Sequence, residues 1–483
     1  MTLTPASVRA AVLEQTERTR RCSKADIERF ITESELRIIS LDSQIDALIE
    51  LRDSQRACVL ALRYIISPIR TLPVELLVEI FDLAIQDYTH IEDVHLISQV
   101  CSYWRSVAQS TPRLWTRCLA VDLQEEKDVA DGLNTWLARS APLPLPIGLV
   151  LMTQSINPDI LEAVLKVAPR LGSMEIAAMH TIPSLLVRQV GKCRLDHLVE
   201  LKLFGTIEDD DADPTPISFT AVPRLRKLTI RLGSTTPQPI MPWAQLTDLS
   251  LHSSSPDVTF GILSQCANLF KADVVMSGWL LLPPAEQSIL GLNQLHTLFL
   301  EFLEFIATSE DIASFFDCLS APQLQDLELI FTPVQWPQAN FTAFQLRAPN
   351  ITRLAFASSD SLTSEDVVAA IRNSPSLTHL KINWCGQCFD DAFIRTLHYQ
   401  DGATPLVPRL HNLVVSSEMA DFTEDVLAGM IASRWWPDTE LDSEVTPSAV
   451  ARWTHVEFDI EEYEWGPQFE DILKDIPSDV LSY

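Results

Sequence analysis

The sequence predicts an α/β protein: a long N-terminal helix and a small helical bundle, followed by an irregular solenoid of strand–helix repeats. Three observations predict it. An apolar stripe with a period of about 3.5 residues runs from Ile27 to Ile66 without Pro or Gly. Two short helical patterns then crowd into residues 68–120, and a unit of the form L-x-x-L-x-L recurs from Leu171 to Trp453.

Length and composition bound the reading. At 483 residues the chain is too long for one ordinary core unless a repeat array stretches one unit. A hydrophobic fraction of 47% against 21% charged is the balance of a folded soluble protein, and 30 Pro against 13 Gly punctuate it rather than loosen it. The net charge of −29 repels phosphate backbones, so no nucleic-acid partner is expected. The excess lies beyond residue 70, with a run at Glu208, Asp209, Asp210, Asp211 and Asp213 that reads as a solvated loop. Nine scattered cysteines lack the spacing of a disulfide framework and fit a reducing compartment. Met1 to Arg21 carries no apolar signal core, and residues 1–23 are expected to be disordered. The most apolar stretches, 142–152 and 274–284, are short and Pro-interrupted, so no membrane span is expected. The expected setting is cytoplasmic or nuclear.

Residues 24–67 come first. One register holds Ile31, Ile38, Ile45, Val59 and Ile66; the other holds Ile27, Leu41, Leu48 and Leu62. Ile at a with Leu at d favours a parallel two-stranded coil, while Arg52 and Gln55 break the stripe in consecutive layers. Two outcomes stay open: a homodimer through this helix, or a helix laid on its own chain.

In residues 68–120, Pro73 sits where a helix starts and a missing N–H costs nothing. Leu76, Leu77, Ile80, Phe81 and Ala84 recur at helical spacing, and Val94, Ile97, Val100, Cys101, Trp104 and Val107 form a second pattern. Helices this short bury little surface alone, so the unit packs on a neighbour or docks on a partner.

Leu72-Pro73-x-Glu75-Leu76-Leu77-x-Glu79-Ile80-Phe81, followed by Asp93-Val94-x-Leu96-x-x-x-Val100-Cys101-x-x-Trp104-Arg105-x-Val107-Ala108, closely resembles the F-box. Pro112-x-Leu114-Trp115 matches the segment just beyond the box in many members. The resemblance implies a helical bundle that binds the Skp-family adaptor of a cullin–RING ubiquitin ligase. It places Leu72, Pro73, Leu76, Ile80, Val100 and Trp104 at or beneath the adaptor interface, and Leu77 and Phe81 in the bundle's own core. The stretch from Ile85 to Glu92 is longer and more polar than the family pattern.

The repeat unit reads LGSMEI at Leu171, LVELKL at Leu198, LRKLTI at Leu225, LTDLSL at Leu246 and, weakly, LFKADV at Leu269. It continues as LHTLFL at Leu295, LQDLEL at Leu324, ITRLAF at Ile351, LTHLKI at Leu377, LHNLVV at Leu410 and WTHVEF at Trp453. Most starts are about 21–29 residues apart, the leucine-rich-repeat period. Thr308-Ser-Glu-Asp311 and Thr363-Ser-Glu-Asp366 resemble capping boxes that open helices between strands. The whole resembles the leucine-rich repeats paired with F-boxes in ligase receptors, which implies a horseshoe. Thr206, Ser254, Ser277, Thr332 and Ser359 replace the usual ladder Asn or Cys, so an irregular leucine-rich-repeat solenoid is expected. Glu461, Glu462, Glu464, Glu470 and Asp471 suit an acidic cap over the solenoid's end, or a peptide-binding tail, at residues 461–483.

Nothing argues for catalysis, a metal or a cofactor. Cys385-Gly-Gln-Cys388 lacks a second ligand pair, and Cys385 falls at the ladder position, which makes it a structural thiol. His379 and His455 recur at one repeat position and His296 and His411 at another, as exposed repeat residues. No P-loop, Rossmann or G-x-S-x-G pattern occurs. Positions three and five of each unit alternate away from the core onto the concave sheet. They present Glu200, Lys202, Lys227, Asp248, Lys271, Phe299, Asp326, Glu328, Arg353, His379, Lys381, Asn412 and Glu457 as candidate target-binding residues. The expected function is a substrate-recognition adaptor for protein ubiquitination, holding an unknown protein substrate near the ligase. The alternative is a non-catalytic coiled-coil and leucine-rich-repeat scaffold not engaged with a ligase.

Overall fold

The computed structural model of the chain describes residues 9–10, 12–16 and 24–483, apart from 88–89, 125–126, 154, 208–215, 234–237, 254–255, 277–288, 304–308, 332–334, 360, 386–387, 401, 403, 419–420, 437–448 and 462. The acidic run at 208–213, Thr308 of the first cap, Ser254, Ser277, Thr332, Glu462 and most of residues 1–23 therefore lie outside the described residues. The chain divides into two compact units, Met1–Ile85 and Gln86–Tyr483.

In the first unit, α1 spans Lys24–Ile65, and every side chain described on it is exposed. Unbroken propensity sustains it, helped slightly by in-helix pairs such as Asp26–Arg29 at 3.5 Å. Pro68 ends it, because the residue before a proline is driven out of the helical region; Ser67 has φ −61° and ψ 127°. A 3-10 turn, Pro68–Thr71, leads to α2, Val74–Ala84.

The second unit opens with α3, His90–Val100, and α4, Ser102–Ser110. A parallel sheet of 14 strands comes next. Its strands are β1 (Leu119–Asp122), β2 (Leu145–Leu151), β3 (Leu171–Ile182), β4 (Glu200–Ile207), β5 (Lys227–Leu232), β6 (Asp248–Ser253) and β7 (Lys271–Met276). Then come β9 (Thr297–Phe302), β11 (Asp326–Phe331), β12 (Arg353–Ala357), β13 (His379–Asn383), β14 (Asn412–Ser417), β15 (His455–Ile460) and β16 (Leu481–Ser482). They pair in chain order, each with the next, while β8 (Leu290–Gly291) and β10 (Leu319–Ser320) form a separate two-stranded pair. Most crossovers carry a helix: α5 (Lys127–Arg139), α6 (Pro158–Lys166), α7 (Ser184–Lys192), α8 (Pro256–Leu263), α9 (Ser309–Cys318), α10 (Gln338–Leu346), α11 (Ser364–Arg372), α12 (Asp391–Leu397), α13 (Glu424–Ala432) and α14 (Pro467–Leu473).

The leucine pattern explains the sheet. In most units the first apolar residue lies just before the strand and the next two lie in it, all on the buried face: Leu198, Leu201 and Leu203 in one unit, Leu377, Leu380 and Ile382 in another. Full burial of each such side chain is worth about 1.5–3 kcal/mol. The sheet is longer than the repeat pattern indicates. It starts two strands earlier, at β1, and runs past the Trp453 unit to β16, where α14 and Trp465 pack Phe469 and Tyr483 into an aromatic cluster. Register shifts occur between β2 and β3, β3 and β4, and β4 and β5; from β5 to β15 the register is continuous. Gly205 permits one of the bulges, at φ 141°.

Three arginines stitch successive helices. Arg170, just past α6, donates to the Leu137 carbonyl in the last turn of α5 at 3.2 Å and to the Leu143 carbonyl at 3.0 Å. Arg347 at the end of α10 reaches the Phe316 carbonyl in α9 at 2.6 Å and Leu319 at 2.9 Å. Arg434, past α13, reaches Leu397 at the end of α12 at 3.1 Å, with Val407 at 3.2 Å and Leu410 at 3.3 Å. Each reaches a carbonyl in the last turn of a helix, where intrahelical donors run out, and one or two carbonyls of the chain beyond it. The capping box at α11 forms as its sequence requires: Asp366 N donates to Thr363 Oγ1 at 3.3 Å and Thr363 N to Asp366 Oδ2 at 3.1 Å.

Candidate adaptor-docking segment and target face

Residues 68–84 form one half of the candidate docking segment. Pro73 opens α2 by accepting from Leu77 N at 3.1 Å, and Ile85 closes it by donating to Phe81 at 3.1 Å. The helix is strongly two-faced. Leu77 and Phe81 are 0% and 1% exposed, whereas Leu76 is 53%, Ile80 41% and Leu83 86% exposed. The last three keep the i, i+4, i+7 spacing of one helix face. Leu72 is half-buried and Pro73 exposed. Leu83 continues the row of Leu76 and Ile80 and was legible from that spacing, although the family motif does not mark it.

Residues 90–115 form the other half. On α3, Val94, Ile97 and Ser98 are buried while Leu96 and Val100 are exposed, again one turn apart. Cys101 caps α4 by accepting from Trp104 N at 3.4 Å, and Trp104 is half-buried. Arg105 Nε donates to the Ser98 carbonyl at 3.0 Å, which satisfies the end of α3. The polar stretch before α3 is tied down: Gln86 N donates to Asp93 Oδ2 at 3.0 Å, His90 Nδ1 to the Asp87 carbonyl at 3.0 Å, and Arg117 pairs with Asp87. Leu114 and Trp115 are buried; the indole of Trp115 donates to Ala108, stands edge-on to Trp136 at 4.7 Å and carries the Arg139 guanidinium at 4.6 Å. Leu96 is a further exposed apolar residue that the motif contains without marking.

The second candidate surface is the open sheet face. The strand register assembles the candidates into two rows. One row runs Glu200, Lys227, Asp248, Lys271, Thr297, Asp326, Arg353, His379 and Asn412. The other runs Lys202, Thr229, Ser250, Asp273, Phe299, Glu328, Ala355, Lys381, Val414 and Glu457. Adjacent strands lie about 4.8 Å apart, so opposite charges in a row are cross-strand neighbours. Arg353 pairs with Asp326 at 3.9 Å, and Lys202 with Glu200 on its own strand at 3.4 Å. These side chains are half-buried or exposed; none is in the core. Burial, the Arg353 charge and His411 hold the His379 imidazole below its ordinary pKa, against a smaller opposing pull from Asp326.

Sequence reasoning missed a more acidic spot on this face. Asp273 accepts from Ser250 Oγ at 3.2 Å, and burial together with Asp273 pushes the Glu301 carboxyl above its usual range. Burial and Arg231 lower the His252 imidazole nearby. Asp273 stands at position five of the weak LFKADV unit, where it could have been found; Glu301 and His252 lie one alternation further along their strands than the positions chosen.

Cys385 and Cys388 are buried, and Cys385 Sγ bonds the Asn383 carbonyl at 3.2 Å. Its hydrogen bond to Cys385, with burial, raises the Cys388 thiol well above its ordinary value. Among the described residues no group of His, Cys, Asp and Glu could hold a metal, and no single helix is long and apolar enough to cross a membrane.

Residues 69–119 match the F-box-like family model. This chain therefore carries an F-box-like domain across α2, α3 and α4. Comparison with curated proteins finds no match. Among solved structures, a chain in the crystal structure of the Rad7–Elc1 complex in yeast is similar at 15% identity and a TM-score of 0.36, over 81% of this chain and 95% of that one.

Proposed function

We propose that this chain is a substrate-recognition adaptor of a cullin–RING ubiquitin ligase. Its F-box-like domain binds a Skp-family adaptor, and its open sheet face binds a protein target. The carrying observation is the F-box-like match on a segment whose helix α2 buries Leu77 and Phe81 and leaves Leu76, Ile80 and Leu83 exposed. An apolar row of that kind on a short helix is what a partner's groove covers. Leu72, Pro73, Leu76, Ile80, Val100 and Trp104 form the adaptor contact in this reading.

The array acts as an irregular leucine-rich-repeat domain, supported by buried leucines at the repeat positions and by parallel strands that pair in chain order. Lys202, Lys227, Asp248, Phe299, Asp326, Glu328, Arg353, His379, Lys381 and Asn412 face the target. Work is done by proximity: a bound target meets the charged ubiquitin carrier at high effective concentration, without chemistry on this chain. The scattered spacing of the cysteines, and the burial of Cys266, Cys318, Cys385 and Cys388, support a cytoplasmic or nuclear setting.

Co-purification from cells tests the assignment. Wild type brings down a Skp-family adaptor and a cullin, and Leu76→Asp/Ile80→Asp brings down neither. Equal recovery with the double variant removes the ligase reading.

A further inference from the structure

The helix α1 leaves its stripe uncovered: Ile38 is 56%, Ile45 53% and Leu48 64% exposed. A stripe sustained over more than five heptads is long enough for a stable two-stranded coil. The charges beside it identify the occupant. On the flank just after the Leu register, Glu28, Glu35 and Asp42 are acidic and Arg56 and Arg63 are basic. The sign reverses at the middle of the helix. In an antiparallel pair this flank meets itself, so acid falls on base from both ends. In a parallel pair it faces the opposite flank, where Arg37 with Asp42 is the one complementary pairing.

We infer that two copies of this chain pair through antiparallel α1 helices. Full overlap of the stripes sets Ile31 opposite Leu62 of the second copy, Ile45 opposite Leu48 and Arg52 opposite Leu41. Glu28 then flanks Arg63 and Glu35 flanks Arg56, each twice by the two-fold symmetry. A parallel pair instead sets Arg52 against its own copy in a core layer, with Gln55 against Gln55 in the next. The preference of Ile at a and Leu at d for parallel pairing does not decide the matter. It compares layers that are aliphatic throughout, and the Arg52 layer is not. The in-helix pairs of Glu28 with Lys24 at 3.8 Å and of Arg56 with Asp53 at 3.9 Å are between exposed side chains, and so weak enough to yield.

This pairing is independent of the ubiquitin-ligase reading. Sedimentation velocity of the full chain at micromolar concentration tests it, with far-UV circular dichroism to show an unchanged fold. Wild type sediments as a dimer. Glu28→Arg/Glu35→Arg and Arg56→Glu/Arg63→Glu each self-associate at least about tenfold more weakly, because every flank pair becomes like-charged. An equal mixture of the two restores the dimer. A monomeric wild type overturns the inference. So does a Glu28→Arg/Glu35→Arg variant that dimerises as tightly as wild type, or a mixture that stays monomeric.

Discussion

Trp115 donates its indole N–H to the Ala108 carbonyl at 2.8 Å, which binds the turn after α4 back onto the last turn of that helix. The carbonyl belongs to a buried residue at a helix end, where its other donor is the Thr111 N–H at a long 3.4 Å. Trp115→Phe keeps most of the packing and loses the donor, so it should cost about 1–3 kcal/mol. Trp115→Ala should cost about 3–5 kcal/mol. Urea denaturation monitored by circular dichroism gives both numbers; a Trp115→Phe cost near zero would mean the hydrogen bond contributes nothing.

Neighbouring leucines on α2 should behave oppositely. Leu77→Ala, at a fully buried position, is expected to lose about 2–5 kcal/mol. Leu76→Asp, at an exposed one, should change stability by no more than about 0.5 kcal/mol. Its effect should appear in affinity for the Skp-family adaptor, which should fall at least about tenfold. Isothermal titration paired with thermal melts separates the two.

Arg434 is 1% exposed, donates to three carbonyls and lies 5.3 Å from the Trp453 ring, and burial lowers its pKa to about 10. Arg434→Met takes the guanidinium away from those buried carbonyls, of which Val407 keeps the Leu410 N–H at 3.3 Å, and should destabilise by about 3–5 kcal/mol. Arg434→Lys should recover part of the loss. Denaturant titration of the full chain is the measurement.

His379 gives a pH signature with a defined sign. Its folded pKa lies below the ordinary value of 6.5, so just under that pH the unfolded chain takes up a proton that the fold resists. Stability should therefore fall as pH drops through 6.5 toward the lower folded value and be flat above it on this account. The groups facing it are Arg353, His411 and Asp326. His379→Gln should flatten that slope, seen as a smaller difference in melting temperature between mildly acidic and mildly alkaline buffer.

On the open face, Arg353→Asp breaks an exposed pair with Asp326 and should alter stability by less than about 1 kcal/mol. It also reverses the charge at the middle of a row of candidate contacts. Target recovery in affinity purification should drop while Skp-family adaptor recovery stays the same. A loss of both would point to misfolding instead.

How much could be read from the residues depended on whether period or long-range geometry set the feature. The leucines of LVELKL and LTHLKI repeat at fixed spacing, so the strands they build were plain to see. β1 and β2, reading LAVD and LPIGLVL, belong to the same sheet without that spacing, and their membership is set by pairing with β3. β16 contributes only Leu481 and Ser482, too little to carry a signal. On α2 helical spacing marks Leu76, Leu77, Ile80, Phe81 and Ala84 together as one apolar face, and the expectation that Leu77 and Phe81 turn inward comes from the family resemblance. Arg170, Arg347 and Arg434 carry no signal of their role in the sequence. Their acceptors lie roughly thirty residues upstream, and only the folded chain brings those carbonyls within reach.

The arginine bonds all point one way, from a later helix to the end of an earlier one. At these three places a unit is thus held down by its successor, like overlapping shingles. A cut that removes α13 and everything after it strips α12 of the guanidinium serving its final carbonyl, and fraying can travel backward from the wound. Deletion from the opposite side leaves each surviving arginine bond in place, although Gln345 Nε2 in α10 runs the other way, to the Ala370 carbonyl in α11 at 2.7 Å. Shortened versions of the array should accordingly tolerate loss of their beginning better than loss of their end.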